Sequence, residues 1–248
     1  MSKLIKWSLV AALAGFLFGF DTVVISGADK KLQELWNSSD IFHGSVVMAM
    51  ALWGTVFGAI FGGIPTRKYG RKNTLIWIGI FYSISAVGSA LANDPFTFAV
   101  FRFIGGVGVG VSGIAAPAYI SEIAPAKNRG KLVGFYQFNL VTGILVAFLS
   151  NYLLSGIGEN DWRYMMGVEA IPAILYTLLV FSIPKSPRWL YLNNQKDKAE
   201  KIIRDAYSKN DADELIIEIT RDKESSIESE SIFQKKYSFI LTLAFLVA

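Results

Sequence analysis

Six blocks of about twenty consecutive apolar residues dominate the chain, at roughly 7–27, 44–65, 74–93, 96–120, 132–154 and 164–183. At ~1.5 Å rise per residue, a helix of that length crosses the ~30 Å hydrocarbon core of a bilayer. In that solvent each backbone N–H and C=O must be satisfied within its own segment, so the blocks predict an all-α membrane protein with six transmembrane helices. The basic start and apolar run of MSKLIKWSLVAALAGFLFG resemble a secretory signal, but the apolar character carries on through Asp21 to Ala28 and five more blocks follow.

The net charge of +4 does not point to nucleic acid, because the positive residues are sorted by side. Lys3 and Lys6 precede the first block. Arg67, Lys68, Arg71 and Lys72 separate the second and third, and Lys127, Arg129 and Lys131 the fourth and fifth. Eleven more follow the sixth, from Lys185 to Lys236, whereas the alternate loops hold only Lys30, Lys31 and Arg163. This bias predicts a cytoplasmic N-terminus and a cytoplasmic segment after the sixth block. With no cysteine and a single histidine, His43, placed in a short polar loop, no metal site or nucleophile–base pair can be assembled, and an enzyme is not expected.

Three ionisable residues lie inside the blocks. Arg102 opens the stretch RFIGGVGVGVSGIAAPAYISEIAPAKNRGK, and an arginine in the membrane interior costs ~2.5–3.5 kcal/mol or more, so it must face something polar. Asp21, in GFLFGFDTVVISGA, lies about 9 Å below the outer end of its helix at ~1.5 Å per residue, and Arg102 reaches a similar depth, so the two charges should meet. Glu169, in GVEAIPAIL, fits a structural role as well as a functional one. Gly106, Gly110 and Gly113, and likewise Gly54, Gly58 and Gly62, recur at helical spacing and predict smooth faces for close helix packing.

After Pro184 the composition turns charged. Ala199, Ile202, Ile203 and Ala206 mark a short amphipathic helix, and a second is expected from the Asn210–Asp211 region to about Thr220. The chain thus divides into a bundle at 1–184, a cytoplasmic helical linker at 185–236 and a block at 237–248, YSFILTLAFLVA. Twelve residues make only ~18 Å of helix, so this last block reads as the start of a seventh transmembrane helix and the chain as a fragment.

The spans also read as two sets of three, the first of each set glycine-rich and carrying one charge, which is a building plan of secondary transporters. GFLFGFDTVVISGA, GGIPTRKYGRK, RFIGGVGVG with PAYISEIAPAKNRGKLVGFYQF, and WRYMMGVEAIPA with PKSPRWL occur in the order and spacing of one family. Over essentially its whole length the sequence resembles the N-terminal half of a sugar porter of the major facilitator superfamily, closest in type to bacterial proton-coupled sugar symporters. The resemblance implies the six-helix half of a 3+3 inverted-repeat fold in the cell membrane, with a C-terminal six-helix half as partner. It further implies a monosaccharide substrate, the lipid bilayer as surroundings, and no cofactor beyond the proton as coupling ion. Asp21 falls at the protonatable aspartate of proton-coupled members and Arg102 at its partner arginine. Gln137 matches a sugar-touching glutamine and Phe18 an aromatic beside the sugar. Gly70, Arg71, Glu122, Arg129 and Arg188 match a cytoplasmic gate network. Two positions depart from the pattern: Arg67 replaces the usual acidic residue of the loop, and Ile144 replaces a second sugar-binding glutamine of the xylose symporter type. A facilitative sugar or polyol transporter half, and a non-transporting remnant or sensor, stay open beside the symporter.

Overall fold

The computed structural model describes residues 2–226, and the expected start of a seventh helix at 237–248 lies outside them. Among the described residues, six helices are long and apolar enough to cross a membrane. They are α1 (Lys3–Gly27), α2 (Asp40–Phe61), α3 (Arg71–Leu91), α4 (Pro95–Ile123), α5 (Arg129–Leu154) and α6 (Asp161–Phe181). Three shorter helices follow, α7 (Pro187–Leu192), α8 (Lys196–Ala206) and α9 (Lys209–Ser226). Residues through Tyr207 form one compact unit, and α9 belongs to a second that begins at Ser208.

Local chemistry sets the helix ends. Asp94 accepts hydrogen bonds from the N–H groups of Phe96 and Thr97, at 3.0 and 2.9 Å, and Pro95 supplies the first helical residue of α4, so the start is capped and pre-shaped. Gly70, at φ +85°, makes the left-handed turn into α3. Pro172 has no N–H for the carbonyl of residue 168, and α6 breaks at Val168–Glu169 between Asp161–Gly167 and Ala170–Phe181. That break carries Glu169.

Two equivalent helix pairs form the bundle. Helix α4 packs on α2, with Gly54 and Gly58 against the backbone of Phe103 and Val107, and Gly106 and Gly110 against that of Ala51 and Thr55. Helix α1 packs on α5 in the same way, with Gly15 and Gly19 against Tyr136 and Leu140, and Gly143 against Phe16. The correspondence of α1 with α4 and α5 with α2 is the 3+3 repeat seen as packing. Gly113 differs from the expected stripe: it is exposed and a side chain there would meet nothing. Helices α1 and α4 are the most buried, whereas α2 and α5 expose rows such as Leu52, Val56 and Ile60, and Val141, Leu145 and Phe148. Such rows suit hydrocarbon or another apolar body.

One end of the bundle gathers the basic residues. There Lys3 pairs with Asp205 of α8 at 2.8 Å, the Tyr207 hydroxyl donates to the Ile123 carbonyl, and Ala199, Ile203 and Ala206 bury the apolar face of α8. At the opposite end Trp36, Phe98 and Trp162 meet edge to face, and Lys31 pairs with Asp161 at 2.5 Å. His43 also lies at this end and corrects the expected loop position. It is buried in a wide helical turn, His43–Met48, inside α2, with Nε2 2.8 Å from Asp29 and Nδ1 3.3 Å from Ser38. A carboxylate and a hydroxyl on the two ring nitrogens explain how a histidine is accommodated there.

Candidate functional site

The charged centre is assembled by α1, α4 and α6 about 10 Å below the far end of the bundle, counting ~1.5 Å per residue. Arg102 Nη1 lies 2.6 Å from Asp21 Oδ1, and Arg102 Nη2 donates to the Asp21 carbonyl at 2.8 Å. Both side chains are 1% exposed. Gly105 permits this approach: a side chain there would strike Ser85 of α3 and crowd Asp21 Oδ1. Glu169, fully buried at the break in α6, brings its carboxyl close enough to Asp21 to share a hydrogen bond and close enough to Arg102 to feel its charge.

The balance of charge is uneven. One guanidinium faces two carboxyl groups, and Asp21 Oδ2 and both Glu169 oxygens meet no N–H or O–H donor among the described residues. A buried carboxylate oxygen without a donor is costly, whereas one shared proton turns two facing carboxyl groups into donor and acceptor. A cavity of about 270 Å³ between α1, α2 and α4 reaches Asp21 and Arg102 past Thr22, Met48 and Thr55. A larger groove of about 610 Å³ lies along α1 and α5 nearer the basic end, but it is lined by Ile5, Leu9, Val10 and Leu13 and touches none of these charges.

Phe18 is half-buried on α1, one helical turn before Thr22, whose hydroxyl donates to its carbonyl at 2.7 Å. Gln137 lies on the exposed face of α5 with Val141 and Leu145. Neither shares a hydrogen bond with Asp21 or Arg102 among the described residues.

At the basic end Arg71 pairs with Glu122 at 2.8 Å, and Arg71 Nη1 also donates to the Thr66 carbonyl. The Ser186 hydroxyl donates to Glu122 at 2.6 Å and accepts from the Trp189 N–H, capping α7. The Trp189 ring lies against Gly70 and its Nε1 donates to the Arg67 carbonyl at 2.8 Å. Arg67 therefore serves this contact through its backbone, and the change of side chain leaves the bond intact. Arg129 opens α5 and Arg188 lies in α7, both half-buried. Ser186 and Trp189 were not singled out from sequence. A serine before proline at a helix start was the available signal for the cap.

A family profile described as "Sugar (and other) transporter" matches residues 7–247. The D-xylose-proton symporter of Escherichia coli is 36% identical over 234 residues, covering 82% of this chain and 48% of that protein. The glucose transport protein of a Synechocystis strain is 40% identical over 205 residues, covering 78% and 44%. The solved structure of the major facilitator proton:xylose symporter XylE bound to 6-bromo-6-deoxy-D-glucose matches with TM-score 0.86 at 34% identity, covering 92% of this chain and 55% of that one. The chain spans about half the length of the relatives it matches, and the match falls on their N-terminal six helices. With six apolar spanning helices and this profile over nearly its whole length, the chain is a multi-pass membrane protein that belongs to the sugar porter family of the major facilitator superfamily, a family of transporters rather than enzymes.

Proposed function

We propose that the chain forms the N-terminal half of a monosaccharide transporter that works by proton symport with alternating access, partnered by a C-terminal six-helix half. The basic end and the linker at 185–236 face the cytoplasm, as the distribution of lysine and arginine supports. The exposed rows of α2 and α5 face the second half.

The observation that carries the reading is the Asp21–Arg102–Glu169 cluster, which has one fixed cation, two carboxyl groups and room for a proton between them. A guanidinium beside a buried carboxylate favours its charged form, and withdrawing it favours protonation. Moving the Arg102 fork off the Asp21 carboxylate as one half rocks against the other would therefore trade the arginine for a proton on Asp21, and the proton would be released when the pair closes again. Phe18 and Gln137 take one side of the sugar, an aromatic face and an amide for a hydroxyl-rich ligand. Gly70, Arg71, Glu122, Arg129 and Arg188 brace the cytoplasmic gate.

The test is uptake of labelled pentoses and hexoses by the complete transporter, with and without a protonophore. Accumulation that collapses on adding protonophore supports symport. Equilibration without accumulation, insensitive to protonophore, makes it a facilitator. No uptake of any sugar returns the chain to the remnant or sensor reading.

A further inference from the structure

The first turn of α3 and the last turn of α6 meet at the basic end of the bundle, where two lysines are held without an acid. Lys72 of α3 is half-buried, and its Nζ donates to the main-chain carbonyl of Phe181, the last residue of α6, at 2.9 Å. Lys185, in the turn that follows, is exposed and sets its Nζ 5.2 Å from the centre of the Trp189 ring. The same ring lies against Gly70, two residues before Lys72, where an added side chain would stand 2.9 Å from the indole. Both ammonium groups are thus fixed at one crossing of the chain, near enough to repel each other. Glu122, the acid of this end, is already taken by Arg71 and Ser186. Position 67, where the related loop usually carries an acid, holds Arg67. Among the described residues neither Lys72 nor Lys185 forms an ion pair with a carboxylate.

Sorting positive charge to one side of a membrane requires basic residues at this end, but it does not require a half-buried lysine tied to a carbonyl beside a second cation. An ammonium has three N–H donors, so Lys72 keeps two for an acceptor from outside the chain, and Lys185 keeps all three. The surface next to them is apolar. Gly79 of α3 lies against Thr177 of α6, which closes the two helices together. Lys72 stands two turns before Gly79 on the same face, and Ile174 and Phe181, three before and four after Thr177, are exposed beside the contact.

Two unpaired cations at the end of an apolar seam in a membrane bundle match an anionic group that carries hydrocarbon with it. We propose that Lys72 and Lys185 bind the phosphodiester headgroup of an anionic phospholipid, whose acyl chains run along the α3–α6 seam past Phe181 and Ile174. The bound headgroup cancels the repulsion between the lysines and ties the start of α3 to the turn before α7, beside the contact of Trp189 with Gly70. This site goes beyond the transport reading and does not need it.

The experiment titrates the complete transporter in detergent with dioleoyl phosphatidylglycerol or dioleoyl phosphatidylcholine and counts bound lipid by native mass spectrometry. The variants are Lys72→Gln, Lys185→Gln, both together, Lys72→Arg with Lys185→Arg, and Lys30→Gln, which removes an exposed lysine at the opposite end. The site predicts that phosphatidylglycerol binds ahead of phosphatidylcholine, and that each glutamine change weakens it roughly fivefold and the pair roughly twentyfold or more. The arginine pair, which keeps both charges, and Lys30→Gln should bind as wild type does. Equal affinity for the two lipids overturns the proposal, as does wild-type binding in the double glutamine variant, loss of binding in the arginine pair, or an equal loss in Lys30→Gln. Inorganic phosphate added at the lipid's concentration separates the sources: phosphatidylglycerol that stays bound supports a lipid site, and its displacement assigns the lysines to free phosphate and overturns the lipid. Sugar uptake enters none of these readings, so a failure of the transport proposal leaves the outcome distinct.

Discussion

Arg102 holds Asp21 twice, through Nη1 to the carboxylate at 2.6 Å and through Nη2 to the same residue's backbone carbonyl at 2.8 Å. Only the first bond depends on the charge of Asp21. The second keeps α4 registered against α1 whether or not a proton is present, so protonation can loosen the pair without unfolding the site.

Arg102→Ala removes both bonds and leaves two buried carboxyl groups facing each other. A loss of about 3–5 kcal/mol in stability is expected, as for other buried pairs broken from one side. Arg102→Lys, a point charge without the planar fork, should keep charge compensation but lose the two-point grip. Thermal unfolding in detergent should rank wild type above Arg102→Lys above Arg102→Ala. Equal midpoints for all three would show that the pair contributes nothing to holding α1 and α4 together.

The α2–α4 contact leaves no room for a side chain at Gly58, which lies against the Val107 backbone. Gly58→Leu should cost at least ~1–3 kcal/mol through overpacking. Gly113 faces open space, so Gly113→Ala should be neutral or gain up to ~1 kcal/mol of helix propensity. Yield and thermal stability of the folded protein check both, and similar losses from both changes would contradict the packing described.

Trp189→Phe keeps the ring over Gly70 but loses the bond from Nε1 to the Arg67 carbonyl, a change of ~1 kcal/mol. Arg67→Asp should leave that bond intact, since the backbone carries it. Protease sensitivity of the segment after α6 should rise in the first variant and not in the second.

Asp94 caps α4, and its carboxyl is held below the usual carboxylate range, first by the Thr97 hydroxyl and then by the backbone N–H groups of Thr97 and Phe96. Because the folded value is depressed, the cap's contribution is complete above the ordinary carboxylate value and disappears as pH falls through the depressed one. Asp94→Asn should flatten the acid limb of the stability profile and leave neutral pH little changed. An unchanged acid limb would mean the cap carries no charge-dependent stability.

The spanning helices were legible because length and apolarity alone decide them, and their ends moved by only a few residues once caps such as Asp94 were resolved. The meeting of Asp21 with Arg102 was legible for a related reason, since two opposite charges at one depth in lipid have few other partners. Glu169 was harder. Its approach to Asp21 depends on the break at Val168–Glu169 and on the rotation of α6, which spacing does not report. The same limit misplaced Gly113, where periodicity gave a face but not the neighbour. His43 was assigned to a loop because its polar surroundings masked a helix that starts at Asp40.

The central claim is that Asp21 carries the coupled proton. The measurement that tests it most directly is the alkalinisation of a weakly buffered cell suspension on adding sugar, for the complete transporter and its Asp21→Asn variant. The account predicts a sugar-dependent pH rise for the wild type and none for Asp21→Asn, with sugar counterflow retained. An equal pH rise in both, or none in either while sugar enters, would contradict it.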